Sequence, residues 1–333
     1  MKKIKYFISR IFSMNFGQMF RKVAEVHKKS GKSRIVIFFD MIICGIKYQA
    51  GYMDYALFEM YALNKAQRKT VVTRGINNSF IKRFNNPAYT DEINDKIKFA
   101  NNFSEFMHRD WLDLNLATDE EFKQFIDNHS VFMAKPVAGM CGKGIEKINT
   151  ADFDKDTLKN YLTEKNLMLL EECVVQHPVM SALHPHSVNT CRVITLHKDG
   201  KTNVVAAYLR IGNGKHVDNF NSGGMVVPIE EFTGKIIYPA LDKAGSLYDT
   251  HPLTNVSIKG FEIPLWDEVL SLVEKAGCII PQIGLIGWDV AICENGPLLI
   301  EGNNFPGHDI YGLPPHRTDG IGVLPKFRRA LGE

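Results

Sequence analysis

The sequence predicts an α+β fold preceded by a mainly helical extension, and three observations carry that prediction. From about residue 130 onward, short apolar strands are joined by tight turns rather than by the strand–helix alternation of a doubly wound sheet. Residues 1–88 show apolar spacings of three and four and read mainly as helix. Near its end the chain carries a hairpin, Leu285–Cys293 and Pro297–Glu301, turning at Glu294-Asn295-Gly296.

The elements follow in order. Ile4, Phe7, Ile8, Ile11 and Phe12 make one apolar stripe of a first helix, with Lys2, Lys3, Lys5 and Arg10 around it. Asp91–Phe106 and Asp119–Asn128 are expected as helices. Val131–Lys135 is a short apolar strand running into Pro136, followed by a Gly-rich loop and a second strand at Ile145–Ile148. Asp152–Lys165 reads as a helix through Phe153, Leu158 and Leu162, and Leu167–Val175 as a strongly apolar strand. Cys191–His197 and Val204–Ile211 are strands flanking the turn Lys198-Asp199-Gly200-Lys201, and Leu265–Ala276 is helical. This divides the 333 residues into a helical extension (1–88), a first α+β subdomain (89–175) and a second one (176–333).

Composition bounds the function. At 45% apolar and 23% charged residues the chain is of globular type, and disorder, collagen-like repeats and coiled coil are excluded. The net charge of +3 argues against a DNA-coating polycation, and no nucleic-acid partner is expected. The charge is uneven: residues 1–34 hold ten Lys or Arg against the single acid Glu25, a net +9 on a remainder of −6. Two readings of that segment stay open, a helix lying on an anionic membrane surface and a helix packed on the rest of the protein. Six scattered cysteines without a C-x-x-C pair argue against a zinc site or a disulfide framework and fit a reducing cytoplasm. No apolar run reaches 18 residues, and the basic start is not patterned as a signal peptide.

Three groups of residues carry chemistry. Asp289 lies on one strand of the late hairpin, while Glu301 and Asn303, two apart on the other, share a face. Two carboxylates and an amide oxygen suit Mg²⁺, a hard cation that also binds substrate phosphates. The alternative is strand-end acids that only make caps and turns. Lys135 ends a buried strand, where an ammonium needs a partner, and a phosphate is a good one. Gly139, Gly142 and Gly144 let backbone N–H groups approach anionic oxygens, although neither the P-loop nor the G-x-G-x-x-G pattern is present. Leu169-Leu170-Glu171-Glu172-Cys173-Val174 ends an apolar strand in acids, suited to a purine edge and a ribose or simply to a strand reaching solvent.

In this order the three groups resemble the ATP-grasp superfamily. Asn94-Asp95-Lys96-Ile97-Lys98-Phe99 is similar to its other lysine motif, and Glu301-Gly302-Asn303-Asn304-Phe305-Pro306-Gly307 to the metal motif of D-alanine–D-alanine ligases. The resemblance covers about residues 90–312 and is closest to the sugar-transfer-associated branch. That branch is suggested by Gln176-His177-Pro178, Ser187-Val188-Asn189-Thr190-Cys191-Arg192, Val217-Asp218-Asn219-Phe220-Asn221-Ser222-Gly223-Gly224 and Gly51-Tyr52-Met53-Asp54-Tyr55.

The resemblance implies an ATP-grasp fold, two α+β subdomains sandwiching ATP. It also implies an ATP-dependent carboxylate–amine ligase working through an acyl phosphate, with small-molecule carboxylate and amine substrates that can be sugar-linked. Asp289, Glu301 and Asn303 would hold Mg²⁺. Lys96, Lys135 and the 139–144 loop with Lys143 would neutralise the phosphates. Glu171, Cys173 and Val174 would line the adenine slot, and Glu172 or His177 would meet the ribose. Arg192 and Arg210, on successive strands, suit bidentate binding of phosphate or carboxylate oxygens. Lys215 with Asn219, Asn221, Ser222, Gly223 and Gly224 resembles the mobile loop over phosphate and acceptor, Gly223-Gly224 being equally readable as a plain turn. A phosphotransferase using the same ATP site and a non-catalytic scaffold of a glycan-assembly complex are the alternatives. His184-Pro185-His186 reads as surface rather than as a zinc pair, and Arg109 as a phosphate contact or a helix cap.

Overall fold

The computed structural model describes residues 15–137, 144–214 and 218–333, apart from the side chains of Lys155, Asp156 and Asn221. It divides into two compact units: the chain up to Arg83 together with Gly307–Glu333, and Phe84–Pro306. The sequence places 307–333 with the second subdomain. In the structure that stretch joins the leader, because Phe327 stacks on Phe80 at 5.1 Å and the Leu324 N–H donates to the Thr70 carbonyl at 2.9 Å.

The first unit is helical: α1 (Phe16–Ser30), α2 (Arg34–Tyr48), α3 (Tyr52–Leu57) and α4 (Arg74–Phe84). Asn15 caps α1 by accepting from Gln18 N at 3.0 Å, and Gly31 ends it at φ 71°, where a side chain would be strained. Arg68 grips Asp40 with two 2.7 Å hydrogen bonds. Asp54, in the Gly51–Tyr55 stretch, is buried. It accepts from Gly51 N (3.2 Å), Arg74 N (3.0 Å) and His308 Nε2 (2.9 Å). This motif is therefore a polar brace that ties the segment after the metal motif to the leader.

The second unit holds α5 (Lys96–Met107), β1 (Trp111–Asp113), α6 (Asp119–Asn128), β2 (Val131–Lys135), β3 (Glu146–Asn149), α7 (Lys155–Glu164) and β4 (Leu169–Glu172). It continues with α8 (Pro178–Leu183), β5 (Cys191–Lys198), β6 (Lys201–Ile211), β7 (Met225–Ile229), β8 (Ala240–Asp242), β9 (Leu247–Tyr248), α9 (Trp266–Ala276), β10 (Leu285–Cys293) and β11 (Gly296–Asn303). Two antiparallel sheets result, ordered β1-β4-β2-β3 and β11-β10-β5-β6-β7-β8-β9. α10 (Leu324–Leu331) belongs to the first unit.

Alternation along the strands separates core from chemistry. Phe132, Ala134, Ile148 and Leu170 face α6 and α7, so Met133, Lys135, Leu169 and Glu171 lie on the other face of the small sheet. In the large sheet Val193, Leu209, Trp288, Val290 and Leu299 pack against α5 and α9, which turns Arg192, Arg210 and Asp289 to the opposite face. Trp288 is fully buried, meets Phe103 edge-on at 5.3 Å and donates from Nε1 to Thr195 Oγ1 at 2.8 Å.

The structure differs from the sequence expectation in several elements. The helix expected at Asp91–Phe106 is interrupted, because the Asp95 side chain accepts from Ile97 N and Lys98 N (both 2.9 Å) and so starts a new helix at Lys96. The Leu167–Val175 strand shortens to Leu169–Glu172, as the chain leaves the sheet at Cys173 and Val175 is exposed. Strands β1 and β7–β9 and helix α8 are too short or too irregular to show a period.

Asn85 fixes the entry to β10, donating to the carbonyls of Leu285 (2.8 Å) and Asn304 (2.6 Å) and accepting from Leu285 N (2.8 Å). Asn85→Ala removes hydrogen bonds from three backbone groups, two of them buried, and should cost about 2–3 kcal/mol in urea unfolding. A loss below about 0.5 kcal/mol would show that water replaces the amide.

Candidate functional site

The charged face of the large sheet is set by register. Asp289 on β10 lies directly opposite Arg192 on β5 and Glu301 on β11, beside a bulge at Asp289/Val290. Asp289 is buried. One of its oxygens accepts from Arg192 Nε, and the other from Arg192 Nη2 and Arg210 Nη1, both at 2.8 Å. Arg210 Nη2 reaches on to Asp218 at 2.7 Å, whose second oxygen accepts from Thr190 N (3.0 Å) and Oγ1 (2.5 Å). Arg210 Nε has no hydrogen-bond partner among the described residues.

Burial pushes the Asp289 carboxyl up, but Arg192 and Arg210 override it and hold it well below the usual carboxylate range. Glu301 behaves oppositely. The surrounding protein pushes its carboxyl up and the Asp289 charge adds to this, although its side chain still reaches solvent. Asn303 sits beside Glu301, its amide 3.4 Å from the Glu301 carboxylate. Two hydrogen-bonded carboxylates, one in mid-β10 and one near the end of β11, and an amide oxygen are a hard-oxygen donor set whose repulsion a divalent cation would relieve, so Asp289, Glu301 and Asn303 fit Mg²⁺.

The second cluster lies on the small sheet. Lys135 donates to Glu171 at 2.6 Å. Arg109 donates to the same oxygen from Nε (3.1 Å) and Nη2 (2.9 Å), and from Nη1 to the Leu299 carbonyl on β11 at 2.5 Å. Arg109 thus links the two sheets, and its Nη1 also lies 3.4 Å from the carbonyl of Met107 at the C-terminal end of α5. Burial pushes the Glu171 carboxyl up, but Lys135 and Arg109 hold it below the ordinary value. Glu171, expected at the adenine slot, therefore spends its carboxylate on internal ion pairs.

Lys96 opens α5 one residue after its cap. Burial pushes its ammonium down, Glu301 pulls it up and Lys135 pushes it down again, so it feels both sheets. Lys96 at this helix start and Lys135 at the end of β2, the first disfavoured by the second, form an anion-seeking corner.

The remaining positions are mixed. Glu172 accepts from Asp110 N at 3.1 Å beside a His129–Asp110 pair at 2.9 Å. Cys173 and Val174 are half-buried where the chain leaves the small sheet. His177 caps α8 by accepting from Val179 N through Nδ1 (3.2 Å), so the neutral ring carries its proton on Nε2. The Asn219 carbonyl accepts from Ser222 N (2.8 Å) and Gly224 N (3.1 Å), forming a tight turn with Gly223 at φ 107°. Gly144 is described, at φ 77°. Gly139, Gly142, Lys143 and Lys215 lie outside the described residues, as does the side chain of Asn221.

Asp218, Gln176 and Asn189 were not singled out as site residues from sequence. Gln176 Oε1 accepts from Asn189 N (3.0 Å) and Nδ2 (3.1 Å), and Asn189 Oδ1 accepts from Gly212 N (3.1 Å). His184, expected at the surface, is buried: Nδ1 pairs with Ser187 Oγ at 2.9 Å and Nε2 accepts from Gly214 N at 3.2 Å. Their signal was present in the quoted motif stretches, but spacing alone does not reveal partners so far apart in the chain.

A family model described as sugar-transfer associated ATP-grasp matches residues 75–317. No curated protein matches significantly. Among solved structures the chain is similar to the ATP-grasp ligase PsnB complexed with minimal precursor (14% identity, 74% of this chain, 62% of that one, TM-score 0.43). It is also similar to D-alanyl-alanine synthetase A from Vibrio cholerae O1 biovar eltor (12%, 73% and 61%, 0.39) and to D-alanine-D-alanine ligase from Helicobacter pylori (14%, 72% and 61%, 0.39). It spans about three fifths of the length of these three proteins.

Because the folded-state value of Glu171 lies below its ordinary 4.5, its contribution to stability is whole above that pH and fades as the pH falls through the folded value. Glu171→Gln leaves Lys135 and Arg109 without their counter-charge and should lower stability at pH 7 by about 3 kcal/mol. The gap between wild type and variant should close as the pH drops below 4.5. A gap that stays constant in urea melts across this window would show that the charge is not its source.

Proposed function

The chain belongs to the sugar-transfer associated ATP-grasp family, and on that premise we propose that it is an ATP-dependent carboxylate–amine ligase acting through an acyl phosphate. One observation supports this above the others: one face of the large sheet brings together the Asp289–Glu301 carboxylate pair and two arginines, and Lys96 feels both Glu301 there and Lys135 of the small sheet. Such an arrangement positions and neutralises phosphates rather than attacking them. Burial pushes the thiols of Cys44, Cys173, Cys191 and Cys293 up, away from the thiolate that a nucleophile needs.

In this scheme Lys96 and Lys135 bind phosphate oxygens, Lys135 using donors that Glu171 does not occupy. Arg192 and Arg210, held flat by Asp289, offer their remaining N–H groups to the substrate carboxylate or to the phosphoryl group it accepts. Mg²⁺ held by Asp289, Glu301 and Asn303 would supply charge neutralisation between the phosphates. The substrate carboxylate attacks the γ-phosphorus of ATP and ADP leaves. An amine then attacks the acyl carbon, and inorganic phosphate departs as the amine gives up its proton. The family's description points to sugar-linked substrates, a sugar acid or an amino sugar.

Phosphate release from Mg·ATP, screened over sugar acids, amino acids and amino sugars with mass spectrometry of products, tests the proposal. Release should need both a carboxylate and an amine and yield an amide. Glu301→Gln should lower turnover by about 10²-fold or more, and Lys96→Met should weaken ATP binding by about 10–100-fold through loss of a charge-assisted contact. A stable phosphorylated product formed without phosphate release would replace the ligase with a phosphotransferase. Cellular function surviving in Glu301→Gln/Asn303→Ala without turnover would replace it with a scaffold.

A further inference from the structure

We propose that helix α2 docks the protein on the surface of an anionic lipid bilayer. Its sequence, Arg34-Ile-Val-Ile-Phe-Phe-Asp-Met-Ile-Ile-Cys-Gly-Ile-Lys-Tyr48, is apolar nearly all round, the composition of a helix covered on every side. Among the described residues only one side is covered, the one bearing Ile37, Met41 and Cys44. On the other, Ile35, Val36, Phe39, Ile43 and Ile46 fall along one stripe and are each 44–70% exposed. Phe20 of α1 stacks on Phe38 at 5.8 Å and carries the apolar surface onto the neighbouring helix, with Phe16 a turn away and also exposed. Contiguous apolar surface of this kind is uncommon on monomers and marks a binding face.

Charge selects the occupant. Residues 15–48 contain seven Lys or Arg and two acids. Both acids are spent internally, Glu25 on Lys22 (2.6 Å) and Asp40 on Arg68 (2.7 Å). Arg34 and Lys47 bracket the stripe at its two ends, and Arg21 follows Phe20. A second copy of this chain placed symmetrically on the stripe would set these cations against their own equivalents. An anionic bilayer satisfies both the stripe and its cations. The preceding sequence has the same character, with Ile4, Phe7, Ile8, Ile11 and Phe12 among Lys2, Lys3, Lys5 and Arg10. At about 22 Å, α2 is shorter than the hydrocarbon core of about 30 Å. No helix among the described residues is long and apolar enough to cross a membrane. The helix therefore lies in the interface, and the contact surface extends past residue 34, where the basic segment ends. None of this depends on the ligase reading.

Flotation of the full-length protein tests the proposal, using phosphatidylcholine vesicles with and without about 30% phosphatidylglycerol. The protein should float at least about tenfold better with the anionic vesicles, and added salt should weaken the binding. Phe39→Ser/Ile43→Ser/Ile46→Ser and, separately, Arg34→Glu/Lys47→Glu should each reduce flotation about tenfold with unchanged circular dichroism and melting, since all five side chains are exposed. Wild type that fails to float, or variants that float as well as wild type, would overturn it. So would light scattering in which the triple serine variant converts a dimer to a monomer while lipid binding is absent, since the stripe would then be an interface between copies.

Discussion

The charged face depends on one buried carboxylate. Asp289 sits in the middle of an apolar strand, where an isolated charge would cost several kcal/mol. It is tolerable there because Arg192 lies across the ladder and Arg210 reaches in from the next strand, together engaging both oxygens. The arginines depend on it in turn: Asp289 holds Arg192 through two nitrogens, and shares Arg210 with Asp218. Trp288, adjacent in sequence and facing the other way, wedges the same strand against α5 and holds Thr195 by a hydrogen bond. Carboxylate and indole thus fix one strand from its two faces.

Arg109 does for the two sheets what Asp289 does within one. It joins Glu171 on β4 to the Leu299 carbonyl on β11, two residues from Glu301. Any change in how the small sheet approaches the large one must break a charge-assisted hydrogen bond in a buried setting. Lys135, Glu171 and Arg109 are therefore one unit of two cations and one anion, with a net positive charge that suits an anionic neighbour. Lys96 faces that unit from the start of α5 and feels both Glu301 and Glu171, so the relation between the two acidic centres is felt at a single ammonium.

What the sequence revealed and what it hid follow from the range of each interaction. The hairpin turn and the two-residue spacing of Glu301 and Asn303 are local, and the register Asp289↔Glu301 follows from them. Arg192 and Arg210 were legible because their strands are joined by a tight turn. Arg109 and Glu171 are 62 residues apart, Asp54 and His308 254, and no periodicity reports such pairs. The internal pairing of Glu171 was hidden for the same reason: a strand end rich in acids does not show in sequence that Lys135 and Arg109 meet one of its carboxylates. His184 looked like a surface residue because Pro185 breaks the chain, yet its ring is buried and holds Ser187 and Gly214.

The motif stretches that set this family branch apart are occupied largely by bracing. Gln176, Ser187 and Asn189 form a hydrogen-bonded knot that ends on the backbone of Gly212 and, through His184, of Gly214. Gly212 has no room for a side chain, since an added Cβ would lie 2.1 Å from Ser187 Oγ and 2.3 Å from His184 Nδ1. Gly224 is equally confined, 2.2 Å from the Asp218 carbonyl. These glycines serve close backbone approach rather than bending. Apolar packing at the same places would accept several loop registers at similar energy, whereas a saturated set of directional hydrogen bonds accepts one. The knot therefore fixes where the chain leaves β6 at Gly212, and Asp218, gripping Arg210 and Thr190, fixes where it returns.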